Sequence, residues 1–418
     1  MRIPRATTLL PGLGSAVGQS SLLAGLGIFI ALIVSGRSGD LLPSPERLIV
    51  LLVGTLVLAV IMVPQVRPYA PALVVLFLVI AGFALRWMQV MHPGGSDVLP
   101  VTNEALGVTL GGGDPYDHFY TSSRPAGAPF PYPPVNLLIH LPGYLLAGLT
   151  GVRATELVGA CVVMVAIARM ALGTGHSLAV PMLALYAGLP DLLNLVGDGS
   201  NDTSSGAMFL LFVLALVEAD REEPWRAVLA GVLAACALGT KQSSLPLVVA
   251  GSAWLFHASR PSFRRYATAG LVTLFVVSVP FLLRSGLLGY VKALTAFAGF
   301  HEDVYGWNIW VLAGQLHLPV ASREDALAFG SVVALAALAL VALIRYRSVR
   351  TALVAGCVAM EVMFLAQRWT AYSYFAQLLA VVVVLPLLKP DDWRLGDAAP
   401  AGEAAPDARM PPATEVQA

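Results

Sequence analysis

Asp97, Asp114, Asp117 and His118 fall in one segment between two apolar stretches. That segment also contains Gly111-Gly112-Gly113-Asp114-Pro115-Tyr116-Asp117 and closes with Phe130-Pro131-Tyr132-Pro133-Pro134. Carboxylates bond to hydroxyls and take protons from them, and aromatic faces lie against sugar rings. The combination suits carbohydrate chemistry at a surface. Asp97 stands closest to the preceding apolar run, where partial loss of water lifts a carboxyl pKa toward that of a useful general base. The plainer readings are that loop carboxylates are solvated and that Gly and Pro clusters mark turns. Asp114 before Pro115 also fits a turn or a helix start. His118 and His140 are expected to pack or hydrogen-bond rather than to ligate a metal.

Other polar groups stand at the borders of apolar runs. Lys241, in Gly239-Thr240-Lys241-Gln242, either meets an anion such as a lipid phosphate or snorkels from the end of a span. Arg368, beside Trp369, is either a phosphate clamp or an interface anchor. His301, Glu302, Asp303, Tyr305, Trp307, Asn308 and Trp310 form a second polar and aromatic cluster. It either lines the acceptor side of a cleft or reflects the gathering of aromatics at membrane interfaces. Asn201-Asp202-Thr203-Ser204 reads as a site or as a helix cap. Glu361 is the chief acid within an apolar run, a proton relay or one half of a polar pair. Cys161, Cys236 and Cys357 are widely separated in apolar surroundings and read as small apolar residues.

The elements that must hold these residues are set by composition. Of 418 residues, 57% are hydrophobic and 12% charged, with a net charge of zero, and the mean hydropathy is +0.76. A soluble domain is about half apolar and about a quarter charged. The class is therefore all-α integral membrane, and neutrality excludes an electrostatic nucleic-acid binder. Apolar runs near 18–36, 47–64, 70–91, 154–171, 177–190, 204–219, 226–239, 243–257, 267–284, 326–344, 351–366 and 371–388 predict a polytopic bundle of about twelve transmembrane helices. The first run is expected to be an uncleaved span. Basic clusters at Arg260–Arg265 and Arg345–Arg350 place both termini in the cytoplasm. Two outer segments, 92–153 and 285–325, are too long for simple connections and are expected to carry interfacial helices. Residues 1–388 form one domain, and 389–418 read as a disordered cytoplasmic tail.

The order of these motifs resembles glycosyltransferase family 87 of the glycosyltransferase C superfamily. The similarity lies in an Asp beyond an early span, the Gly-Gly-Asp-Pro-Tyr-Asp stretch and Phe-Pro-Tyr-Pro-Pro before an apolar run. It continues through Gly197, Asn201 and Asp202, then Thr240-Lys241-Gln242, Gly306-Trp307-Asn308-Ile309-Trp310 and Tyr372-Ser373-Tyr374-Phe375. The resemblance implies transfer of a hexose, mannose first, from a polyprenyl-phosphate donor at the outer face of the cell membrane. The acceptor would be a hydroxyl on a glycolipid or envelope glycan. It implies Asp97 as general base, inversion at the anomeric carbon and Lys241 near the donor phosphate. Together the readings give a substrate-binding set of Asp114, Tyr116, Asp117, Tyr132, Asn201, Asp202, Lys241, Gln242, His301, Asn308, Trp310, Arg368 and Tyr374. No cofactor is called for, and the loop carboxylates leave a divalent metal open. The competing readings are a twelve-span transporter or lipid flippase, and a membrane scaffold.

Overall fold

The computed structural model describes residues 18–34, 44–91, 94–174, 176–220, 223–300, 304–319 and 322–388. His301, Glu302 and Asp303 of the expected second cluster, and the expected tail from 389, lie outside these residues. The described chain is almost wholly helical: α1 (Gly18–Val34), α2 (Ser44–Ile61), α3 (Ala70–Met91), α4 (Val98–Leu110), α5 (Pro134–Thr174), α6 (Ala179–Gly188), α7 (Pro190–Gly197), α8 (Asp202–Val217), α9 (Pro224–Thr240), α10 (Leu245–Ala258), α11 (Arg260–Phe300), α12 (Ile309–Gln315), α13 (Arg323–Leu343), α14 (Val349–Ala366) and α15 (Tyr372–Val382). Two short strands, β1 (Tyr305–Gly306) and β2 (Trp369–Thr370), pair in parallel.

An all-α membrane protein fits the described residues, whose helices do not confirm a count of about twelve crossings. Each expected apolar run falls on a helix. Yet only five helices among the described residues are long and apolar enough to cross a bilayer, or six if α6 and α7, bent by 50°, make one span. Hydropathy does not register breaks. A helix such as α9, 17 residues long, rises about 25 Å, short of the roughly 30 Å hydrocarbon core. Proline at the first turn of α7 and of α9 starts each helix afresh after an extended residue. Helices do form inside both long segments: α4 in the first, α12 in the second.

The stretch from 134 to 150 becomes one arm of a hairpin. Helix α5 leaves helical geometry at Ala147 and Gly148 and folds back on itself. Gly143 and Gly151 let the two arms touch through backbone, because a Cβ on Gly143 would stand 2.2 Å from the Gly151 carbonyl oxygen. His140 on the first arm meets Glu156 on the second at 3.0 Å, both side chains fully buried. His140 also contacts the Asn136 carbonyl at 2.7 Å. The expectation that His140 hydrogen-bonds within the protein is met. Glu156 reaches further and accepts the Ser204 N–H at 2.8 Å, so a carboxylate from α5 caps the positive end of α8.

A second buried charge organises the broken span. Arg86 in α3 is completely buried and donates to the Tyr186 carbonyl at 2.6 Å and the Ala187 carbonyl at 2.9 Å. Those carbonyls lie in the last turn of α6, where the break leaves them without helical partners. In the sequence Arg86 is a lone charge within the apolar run 70–91, and no local pattern reports its distant partners.

The aromatics of the first long segment mostly pack together. Tyr116, Tyr120 and Phe130 join Leu99, Phe281 and Tyr290 in a separate buried cluster, with Tyr116 edge-on to Tyr290 at 4.8 Å between centroids. This cluster clamps the segment onto α4 and α11.

Candidate active site

Two adjoining cavities lie where helix ends and loops converge. The larger, about 860 Å³, is lined by Ser96, Asp97, Arg124, Tyr132, Asp198, Ser200, Asp202, Lys241, Tyr305, Trp369, Tyr372 and Tyr374, among others. The smaller, about 430 Å³, lies against α11, α13 and α14, with Leu294, Arg323, Leu327, Met363, Phe364 and Arg368 in its wall. Pro131, Tyr132, Lys241, Trp369 and Tyr374 line both and so form the partition between them.

The turn from Gly94 to Leu99 is zipped to the turn from Gly197 to Gly199. Gly94 N–H donates to the Gly197 carbonyl at 2.5 Å, Ser96 N–H to the Asp198 carbonyl at 2.8 Å, and Leu99 N–H to the Gly199 carbonyl at 2.8 Å. This brings Asp97 and Asp198, about a hundred residues apart in sequence, onto adjacent strips of backbone at the cavity wall. Gly199 has φ +90, and a Cβ there would stand 2.7 Å from the Ser96 carbonyl oxygen. Only glycine satisfies both the left-handed turn and the close approach.

Asp97 precedes the first turn of α4 without capping it. Its Oδ2 accepts the Arg124 N–H at 2.5 Å. Asp198 accepts the Ser200 N–H at 2.7 Å through Oδ1 and the Tyr372 hydroxyl at 3.0 Å through Oδ2. It lies in the turn beyond the end of α7. Burial pushes its carboxyl up to about 6, against the opposing pull of the bonds from Ser200 and Tyr372, and Asp202 adds like-charge repulsion. Nothing in the sequence singled out Asp198. In Gly197-Asp198-Gly199-Ser200 it reads as a turn residue, and its partners come from distant segments.

Lys241 sits where α9 ends and the backbone becomes extended. Its ammonium pairs with Asp202, lies 3.4 Å from Asn201 Oδ1, and stands 4.8 Å above the Tyr374 ring. The residue is 6% exposed, so a snorkelling lysine does not describe it. The Asn201 side chain makes no cap bond to α8 because Glu156 takes that role. In the smaller cavity Gln242 donates to the Pro131 carbonyl at 2.9 Å. Arg368 has Nε and Nη1 buried without a hydrogen-bond partner.

Several expected site residues line neither cavity. Asp114 accepts the Tyr116 N–H at 2.9 Å and the Ser285 hydroxyl at 2.8 Å, holding the loop to α11. The Tyr116 hydroxyl donates to the Tyr132 carbonyl at 2.9 Å. Asp117 is exposed. Asn308 caps α12 through bonds from Trp310 N–H and Val311 N–H and donates to the Tyr305 and Arg368 carbonyls. The Trp310 indole donates to the Ala366 carbonyl at 3.0 Å. These residues hold the framework, and the cavity wall from that region is supplied instead by Tyr305 and Trp369, whose rings stack at 4.5 Å between centroids. Among the described residues, no three His, Cys, Asp or Glu side chains are grouped to hold a metal ion.

The larger cavity is rich in carboxylates and aromatics, which suits neutral polyols. The smaller combines an apolar wall with two guanidinium groups, which suits an anion on a greasy chain. A family model described as glycosyltransferase family 87 matches residues 130–368, more than half of the chain. Tyr132, Asp198, Asp202, Lys241 and Arg368 lie inside that stretch, and Asp97 and Tyr374 outside it. No curated protein and no solved structure matches the chain.

Proposed function

The chain belongs to glycosyltransferase family 87, and from that premise we propose that it moves a hexose from a polyprenyl-phosphate donor to an acceptor hydroxyl at the extracytoplasmic face of the cell membrane. Mannose is the sugar the family resemblance favours, and a glycolipid or envelope glycan is the acceptor. The supporting observation is the pair of cavities meeting at Lys241, Tyr132 and Tyr374. The acceptor and the sugar occupy the carboxylate-lined side. The polyprenyl chain lies along α11, α13 and α14, and its phosphate stands at the partition.

In this arrangement Asp97 takes the proton of the acceptor hydroxyl as its oxygen attacks the anomeric carbon. The bond from that carbon to the phosphate oxygen breaks, and the lipid phosphate leaves with the electron pair. Attack and departure on opposite faces invert the anomeric centre. The Arg368 guanidinium, with two unpartnered nitrogens, and Lys241 stabilise the growing phosphate charge in a partly dry site. The Lys241–Asp202 pair holds the ammonium in place before the donor arrives.

The test is transfer by purified protein from labelled polyprenyl-phosphate sugars to a membrane lipid extract. Transfer from the mannose-linked donor is the expected result. Transfer from nucleotide sugars instead, or from no donor, overturns the reading.

A further inference from the structure

Asp97 alone accounts for the proton in the proposed reaction, yet a second carboxylate is built into the same wall with equal care. Asp198 is oriented by the Ser200 N–H and the Tyr372 hydroxyl, and the zipper that fixes it also fixes Asp97. Beside it Ser200, a residue 5% exposed, lines the cavity and turns both its N–H and its hydroxyl toward the Asp198 carboxylate. Tyr372 also lines this wall, and its hydroxyl, after donating to Asp198, still has lone pairs to accept a bond. This group of donors and acceptors matches no phosphate, because two carboxylates repel an anion. It matches sugar hydroxyls, each of which donates one proton and accepts others.

We propose that Asp198, Ser200 and Tyr372 form a seat for the hydroxyl next to the attacking one, so that the acceptor is a sugar ring presenting two neighbouring hydroxyls. Asp97 then takes the attacking hydroxyl while Asp198 grips its neighbour, and the zipper sets the spacing between them. No bond to Asp198 is made or broken. It is a positioning residue, and an isolated hydroxyl on a lipid alcohol or a serine side chain leaves its seat empty. Burial that lifts the Asp198 carboxyl agrees with a pocket kept dry for a polar ligand. This inference rests on the function proposed above.

The experiment uses the purified full chain, polyprenyl-phosphate mannose as donor and a membrane lipid extract as acceptor. One portion of the extract is treated with periodate, which cuts carbon–carbon bonds between neighbouring hydroxyls, and then with borohydride. The wild-type protein is expected to lose transfer to the treated portion and to show none to octanol or a serine peptide. Undiminished transfer to any of these overturns the proposal. Asp198→Asn is expected to raise the apparent acceptor KM about ten- to a hundredfold with the donor KM unchanged. A fall in kcat with both KM values unchanged, or equal rises in both, also overturns it. Tyr372→Phe, which removes only one hydroxyl, repeats the measurement should the asparagine protein fail to fold. If the wild type transfers to no acceptor, treated or untreated, the function proposed above fails and this inference with it. Failure of the periodate and KM arms alone removes only the seat.

Discussion

The carbonyl of Asp198 accepts the N–H of Ser96 at 2.8 Å, so the residue next in the chain, Asp97, is positioned by the same contact that anchors a second carboxylate. Neither acid can shift without dragging the other. The substitutions below separate their roles.

Asp97→Asn removes the proton acceptor while keeping the shape and the bond from Arg124 N–H. Transfer is expected to fall by about a hundred- to ten-thousandfold, with membrane insertion and donor binding intact. Single-turnover kinetics and binding of labelled donor measure the two quantities separately. Near-normal turnover would take Asp97 out of the role.

Asp198 gives a pH signature. Its folded carboxyl is raised from 3.8 to about 6, so the folded state holds this proton more tightly than the unfolded chain does. The stabilising contribution is complete below the ordinary range and is lost as pH rises through about 6. Asp198→Asn is therefore expected to melt higher than wild type at neutral pH, with the advantage shrinking below pH 6. If acceptor binding needs the ionised form, wild-type kcat/KM falls on the acid side near pH 6, and the asparagine protein lacks that limb. Melting and rate profiles from pH 4.5 to 8 check both, and an unchanged acid limb counts against Asp198.

Gly199→Ala tests the zipper. The φ of +90 and the 2.7 Å approach to the Ser96 carbonyl oxygen leave no place for a methyl group. The left-handed conformation alone costs about 1–2 kcal/mol, and the clash is with backbone, which cannot swing aside. Activity is expected to drop more than tenfold while the bundle still inserts. Limited proteolysis and rate assays on the same sample read this out, and wild-type rates show that the turns need not stay paired.

Lys241→Met strands Asp202 in a buried position, a loss of about 3–5 kcal/mol. Lys241→Met combined with Asp202→Leu is expected to recover much of the stability and none of the transfer, because the phosphate still lacks its ammonium. A melting series with activity on all three proteins decides. Recovered activity in the double variant would assign the pair a purely structural role.

Arg368→Gln removes a guanidinium whose Nε and Nη1 have no partner. It spares the backbone carbonyl that accepts from Tyr305 N–H and the Asn308 side chain. The donor KM is expected to rise about tenfold or more, as for loss of a charged hydrogen bond, with acceptor KM and melting temperature little changed. A rise in acceptor KM instead would move the phosphate elsewhere.

What the sequence discloses and what it hides divide along physical lines. Asp97, Lys241, Tyr132 and Tyr374 stand at the borders of apolar runs, a local property, and all four line the larger cavity. Asp198 depends on pairing with a segment a hundred residues away, and no local pattern reports that. Asp114, Tyr116, Asn308 and Trp310 have the right chemistry for a sugar site, but their donors and acceptors are taken up by the framework, and a sequence does not show how a bond is already used. The helical class follows from hydropathy, whereas the number of crossings depends on breaks such as Leu189-Pro190.

Arg86 has a bearing on how the protein is made. An unpaired arginine costs at most about 2.5–3.5 kcal/mol during insertion, the value for the centre of a span, and the carbonyls that satisfy this one belong to Tyr186 and Ala187, 100 and 101 positions later. The apolar residues of α3 outweigh that cost, so α3 enters lipid with part of its gain offset until α6 is made. Arg86 lies near the end of α3, where its guanidinium snorkels to the surface until the Tyr186 and Ala187 carbonyls of α6 draw it inside.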